Sequence, residues 1–155
     1  MTADTTPKEQ RLAEEVGAKL FEQDVVANVL GIKLDQISPG YARMTMPVRN
    51  DMLNGLGICH GGMTYTLADT AFAYACNSRN EKTVALACTI TYALSVYEGD
   101  TLTAVAEEQI LNGKTGVYDV VVTNRLGEKV ALFRGNSYKT SQAVVPSLPL
   151  PKNPK

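Results

Sequence analysis

Residues 61–77, GGMTYTLADTAFAYACN, constrain this chain more than any other stretch. From Met63 to about Asn77, Met63, Leu67, Ala71 and Ala75 recur at helical spacing and form one stripe, and Ala68, Phe72 and Cys76 form a second beside it. Apolar or small side chains thus cover most of the circumference, and a helix that is apolar on nearly all sides is a buried helix. The rest of the chain must enclose it. A chain of 155 residues, 45% of them hydrophobic, has the material for one globular domain.

The flanking segments read mostly as strands. Near the start, Pro7 suits a first helical position, and Leu12, Val16 and Leu20 share one helix face. A short second helix over Asp24 to Leu30 ends at Gly31. Ile32, Leu34 and Ile37 then suggest a strand, and the SPG turn at 38–40 leads into a second, where Ala42, Met44, Met46 and Val48 share one face. After the helix come four more strand signals separated by EGD, NGK and NRLGEK turns, the Asn112-Gly113 pair being a strong hairpin signal. In the first of the four, Val84, Leu86, Cys88, Ile90 and Tyr92 alternate with Ala85, Ala87, Thr89 and Thr91, and the small set would let a helix lie close. The expected fold is α+β: a helical segment over 1–31, a domain over 32–140 in which an antiparallel sheet encloses one long helix, the last four strands forming a meander, and a flexible proline-rich tail over 141–155. No repeat or linker divides it.

Several function classes lose support at this level. A net charge of -1 gives no global attraction for nucleic acid or anionic membranes. The uncharged run Thr83 to Tyr97 is too short to span a bilayer and alternates like a strand. One histidine and three cysteines without finger spacing point to no metal site, and the N-terminal decapeptide lacks an apolar core, so a reducing cytosol is the expected setting.

The chemistry concentrates at the helix start. Gly61 and Gly62 leave first-turn N–H groups uncovered where the helix dipole is positive, which suits an anion or a carbonyl oxygen becoming one. The same glycines also serve a plain loop-to-helix turn. Asp69 lies too deep for an N-cap. It is either a carboxylate bonded to Thr66, Thr70 or a neighbouring subunit, or a base or nucleophile tuned by its surroundings. His60 reads as a capping or loop-steadying residue rather than a proton carrier, and Asn54 as a turn closer or a holder of water.

The arrangement Asn54-x5-His60-Gly61-Gly62-x6-Asp69, followed by LADTAFAYACNS, ACTITY, YEGDTLTA, NGKTGVYDVVV and VALFRGNSY, resembles the hotdog-fold acyl-CoA thioesterases, and more narrowly their PaaI (phenylacetate-degradation) branch. The resemblance runs from about Asp35 to Lys139. It implies a curved sheet around the helix and sites formed between subunits of a homodimer or homotetramer. The Gly61 N–H would polarise the thioester carbonyl, Asp69 of the other subunit would activate water or attack, Asn54 would position the water or the base, and His60 would steady the loop. Gly62 and Thr70 would contact the substrate, with Lys114 and Thr115 at the nucleotide end of coenzyme A. Met52, Leu53, Met63, Tyr65 and Phe72 are candidates for the acyl slot. Where some relatives carry a helper serine this chain has Ala85, with Thr70 or Thr89 as candidate substitutes. No cofactor or metal is implied. The expected reaction is hydrolysis of phenylacetyl-CoA or a ring-hydroxylated analogue; a non-catalytic acyl-CoA-binding module is the main alternative and a dehydratase a third. Eight residues of helix separate Gly61 from Asp69, roughly 12 Å of rise, too far for both to grip one carbonyl. That spacing itself argues for two chains.

Overall fold

A computed structural model describes residues 6–152. The expected loose ends at 1–5 and 153–155 lie outside the described residues.

Helix α1 (Pro7–Gln23) opens with a capping box in which Thr6 and Glu9 satisfy each other's backbone N–H groups, with Pro7 at the first turn. Its buried Ala13, Val16 and Gly17 face strand β1 (Lys33–Ser38). Helix α2 (Val25–Leu30) is capped by Asp24 and ends at Gly31, whose φ of 70° and N–H bond back to the helix make it the expected C-terminal stop. Strand β2 (Tyr41–Pro47) precedes a 3-10 turn at Asn50–Met52 and helix α3 (Gly61–Asn77). Strands β3 (Glu81–Tyr92), β4 (Thr101–Asn112), β5 (Thr115–Thr123) and β6 (Lys129–Ala143) follow.

All six strands form one antiparallel sheet in the order β1-β2-β4-β5-β6-β3. Helix α3 packs against every strand, so the sheet curls around it as the apolar circumference demanded. The topology corrects one expectation. The last four strands are not a meander: β4, β5 and β6 are, but β3 crosses to the far edge and pairs only with β6. The reason lies in α3. It leaves β2 and runs beneath the sheet, so the strand after it emerges on the opposite side, and β4 returns to close the gap beside β2.

A second correction concerns the faces of β3. The register slips between Ala85 and Ala87, so Leu86 is a bulge and the alternation inverts across it. Val84 pairs with exposed Tyr138 on the outer face, whereas Cys88 and Ile90 pair with buried Gly135 and Phe133 on the inner one. The larger Cys88, Ile90 and Tyr92 thus face α3, and Ala87, Thr89 and Thr91 turn outward, the reverse of the close approach expected for the small set. Close approach is provided on β6 instead. A Cβ on Gly135 would lie 2.7 Å from the Phe72 ring, so the missing side chain lets α3 settle on the sheet. Phe72 in turn stacks at 5.5 Å on Tyr118 and 5.9 Å on Phe133.

The far end of α3 is tied twice. Asn77 donates to the Thr83 carbonyl at 3.0 Å and accepts its N–H at 2.8 Å. Asn80, fully buried at φ 66°, accepts the Val145 N–H and donates to the carbonyls of Val145, Leu148 and Pro149. Residues 144–149, read from sequence as a flexible end, are therefore held against the α3–β3 turn.

Gly135→Ala should force Phe72 aside and destabilise the fold by about 1–3 kcal/mol. Urea unfolding should show the lower midpoint with an unchanged slope.

Candidate active site

Helix α3 begins at Gly61 because His60 caps it. The His60 Nδ1 accepts the Gly62 N–H at 2.8 Å, and its carbonyl accepts the Met63 N–H at 2.9 Å. An accepting Nδ1 carries no proton, so the neutral ring holds its hydrogen on Nε2. The loop leading in is pinned by His60 N–H to the Met52 carbonyl and Cys59 N–H to the Val96 carbonyl, both 2.8 Å. Of the Gly61, Gly62 and Met63 amides, that of Gly61 is the one without an acceptor among the described residues. The Gly62 amide, expected to reach substrate, is already taken by His60.

Asn54 closes the loop turn. Its Oδ1 accepts the Leu56 and Ile58 N–H groups at 2.9 and 3.4 Å, and its own N–H reaches the Ile58 carbonyl. Its side-chain amide NH₂ has no partner among the described residues. Asn54 and Gly61 open onto one cavity of about 230 Å³, walled by Thr64, Tyr92, Leu94 and Val130. One small pocket thus holds an unused backbone donor and an unused side-chain donor.

Asp69 does not line that pocket. It sits half-buried on the flank of α3, in the stripe Gly62, Thr66, Asp69, Thr70, Ala73 that the sheet leaves partly uncovered. Bonding to Thr66 or Thr70 is not found: Thr66 Oγ1 donates to the Gly62 carbonyl and Thr70 Oγ1 to the Thr66 carbonyl. The carboxyl therefore has no hydrogen-bond partner among the described residues, and burial pushes it above the ordinary aspartate range. Its charge reaches Tyr65, Cys76 and Cys88; burial first, then Cys88 and the Asp69 charge, lift the Tyr65 phenol to about 12.

Other expected residues fall elsewhere. Met52 and Phe72 are buried in the core, so neither lines an open slot, whereas Leu53, Met63 and Tyr65 are half-buried. Thr89 pairs with Arg134 on the outer face, away from α3, leaving Thr70 beside Asp69. Lys114 and Thr115 occupy the β4–β5 hairpin, where Lys114 Nζ lies 5.9 Å from the Tyr138 ring centroid. Thr115 pairs with Tyr138 and Tyr92 with Ala131, so the hairpin and Gly61 lie at opposite ends of β6, roughly 23 Å apart at about 3.3 Å per residue. Within one protomer, then, Asn54, His60 and Gly61 come together, and Asp69 and the Lys114 hairpin do not join them. Tyr92 is the site residue that sequence reasoning missed. The alternation put it on the face of β3 expected to turn away from the helix, so nothing local marked it. Among the described residues no cluster of histidine, cysteine or acidic side chains could hold a metal ion, and no helix is long and apolar enough to cross a membrane.

Known proteins match this geometry. Residues 56–131 match the thioesterase superfamily. The acyl-coenzyme A thioesterase PaaI of Escherichia coli is 48% identical over 120 residues, covering 77% of this chain and 86% of that one. The structure of the E. coli PaaI protein from the phenylacetic acid degradation operon superposes with a TM-score of 0.86 at 43% identity, covering 87% of this chain and 98% of that one. A Streptococcus mutans protein solved with acetyl-CoA bound gives a TM-score of 0.70 at 29% identity over 72% of this chain and 90% of that one. The chain belongs to the thioesterase superfamily. Within it, the hotdog fold and the similarity to PaaI place it on the PaaI branch of acyl-CoA thioesterases.

His60→Ala should remove the cap of α3 and destabilise the protein by about 0.5–2 kcal/mol. Amide exchange should identify the cause, with Gly62 losing protection and the middle of α3 keeping it.

Proposed function

We propose that this chain hydrolyses acyl-CoA thioesters in the cytosol, with phenylacetyl-CoA or a ring-hydroxylated phenylacetyl-CoA as substrate, and that each active site is shared by two subunits. The observation that carries this reading is the division of the chemistry. The free Gly61 amide and the Asn54 NH₂ meet in one pocket, while the unpartnered Asp69 waits outside it, on a flank next to the open edge of β3. The PaaI similarity and the acetyl-CoA found in the S. mutans structure support the substrate class.

In this mechanism the Gly61 N–H donates to the thioester carbonyl oxygen, and the dipole of α3 adds to its pull. Asp69 of the second subunit supplies the oxygen nucleophile, by deprotonating a water held by Asn54 or by direct attack. The carbonyl carbon becomes tetrahedral, its oxygen takes the negative charge against Gly61, and the C–S bond breaks, the proton that Asp69 took from water passing to sulfur so that coenzyme A leaves as the thiol. Where Asp69 attacks directly, the thiolate takes its proton from water and a second water hydrolyses the acyl anhydride to restore the carboxylate. The raised carboxyl is the stronger base for its burial. Thr70, one residue on, can accept a hydrogen bond from the same water. The Lys114–Thr115 hairpin of one subunit would meet the nucleotide end of a substrate bound elsewhere in the assembly, at least a homodimer and by resemblance a tetramer.

Asp69→Asn should cut kcat by about a hundredfold or more in an assay of thiol release from phenylacetyl-CoA. Retained turnover would remove Asp69 from the mechanism. The same variant should raise the melting temperature. A carboxyl whose folded value is raised favours the folded state while protonated, and that contribution is lost as pH rises from the unfolded value through the folded one. At neutral pH the wild-type protein therefore carries a desolvated charge that asparagine lacks. For the wild type, kcat/KM should fall with acid in a limb lying above the ordinary aspartate range.

Mixing two inactive proteins tests the shared site. Asp69→Ala subunits recombined with subunits disabled at the Gly61 end should regain about a quarter of wild-type activity, because half the dimers are mixed and each rebuilds one intact site. No recovery would mean that each site lies within one chain.

A further inference from the structure

We propose that Tyr92 is a positioning residue for the Gly61 amide, and that Gly61 is a glycine in order to seat the Tyr92 ring rather than to bare its backbone for substrate. The inference rests on the reading of Gly61 as the carbonyl-binding donor.

Gly61 does not use the conformational freedom of glycine, because its φ lies outside the left-handed region. The three atoms nearest to a side chain there all belong to Tyr92, whose ring would have to give by a few tenths of an ångström. A Cβ on Gly61 would meet Tyr92 Cζ at 3.0 Å, its hydroxyl oxygen at 3.1 Å and Cε1 at 3.3 Å. The Tyr92 hydroxyl also donates to the Gly61 carbonyl at 2.8 Å. Gly62 follows the same rule with another partner, since its Cβ would lie 3.0 Å from His60 Nδ1. Each glycine keeps a place for one side chain, Gly61 for Tyr92 and Gly62 for His60.

Together the two side chains hold one peptide plane from both ends. The Gly61–Gly62 peptide gives its N–H to His60 and takes the Tyr92 proton at its carbonyl. The preceding peptide, which carries the free Gly61 N–H, is fixed at its carbonyl by Met63. A Gly-Gly segment has the softest backbone a chain can offer, and a misdirected amide forfeits most of its value as an oxyanion donor. Tyr92 removes that softness. As the last residue of β3, it is anchored by pairing with Ala131 on β6, and 49% of its surface is exposed, facing the pocket it shares with Asn54 and Gly61. Burial also raises the phenol above its ordinary value, so the hydroxyl keeps the proton it donates.

The test is a double-mutant cycle, because alanine at position 61 retains the backbone N–H. Gly61→Ala alone should lower kcat about tenfold or more with little change in KM, and should lower the urea midpoint. In a Tyr92→Ala background the same substitution should change kcat by less than about threefold and leave the urea midpoint unaltered. In a Tyr92→Phe background, which keeps the ring, it should be as harmful as in the wild type. Tyr92→Ala alone should lower kcat, not raise KM, and Tyr92→Phe, which keeps the ring but loses the bond to the Gly61 carbonyl, should lower kcat by a smaller factor. If Gly61→Ala is equally harmful with and without the ring, the glycine serves the substrate's approach and the proposal falls. If it is harmless in the wild type, the ring yields freely and the proposal also falls. The urea readout needs no turnover, so a failure of the thioesterase reading would show separately, as Asp69→Asn retaining activity.

Discussion

The enclosure of α3 is the constraint from which the rest of this structure follows. A helix with apolar or small side chains on most of its surface cannot lie on a sheet; it must lie within one. Six strands can surround it only if the chain passes under its own sheet between β2 and β3, and that passage fixes the strand order, the free edge and the two ends of the helix. The start of α3 emerges beside the last residue of β3, where its unused amide meets Tyr92 and Asn54. Its flank emerges beside the open strand, where the enclosure is incomplete and Asp69 sits. The same incompleteness leaves a carboxyl half-desolvated and a strand edge unpaired.

Several polar groups along the helix find partners close at hand, whereas the Asp69 carboxyl finds none among the described residues. The hydroxyls of Thr66 and Thr70 turn back to carbonyls of the preceding turn, Asn77 pairs both ways with Thr83, and His60 absorbs the Gly62 amide. Asp69 is left without a donor. An ionised carboxylate in such a place works against stability, and its retention fits a group whose value lies in reaction rather than folding.

Much of this was legible in the residues, and the failures are instructive. Periodicity located α3, the early strand pair and the hairpin at Asn112-Gly113, because each rests on local spacing or local turn chemistry. Strand order was not legible, because it depends on where the chain goes after a buried helix, which no local pattern encodes. The faces of β3 were misread because a bulge at Leu86 shifts the alternation by one, and a bulge leaves the composition of a strand unchanged. The grouping of Asn54, His60 and Gly61 at the start of α3 was legible because they lie within eight positions of one another in the sequence. Tyr92 was not, since it reaches Gly61 across 31 positions of sequence.

The isolation of β3 also has a consequence for how the molecule comes into being. Its only partner in the sheet is β6, and the turn that launches it is completed by residues 144–149 bonding to Asn80. During synthesis at roughly 5–20 residues per second, β3 is complete about 2–7 s before the first residue of β6 is made. For that interval β3 has no sheet partner within its own chain, and the helix beneath it has only the earlier elements to pack on. Closure of the sheet on that side must wait for β6, and the nascent protein spends that interval with an unpaired strand exposed to every neighbouring chain.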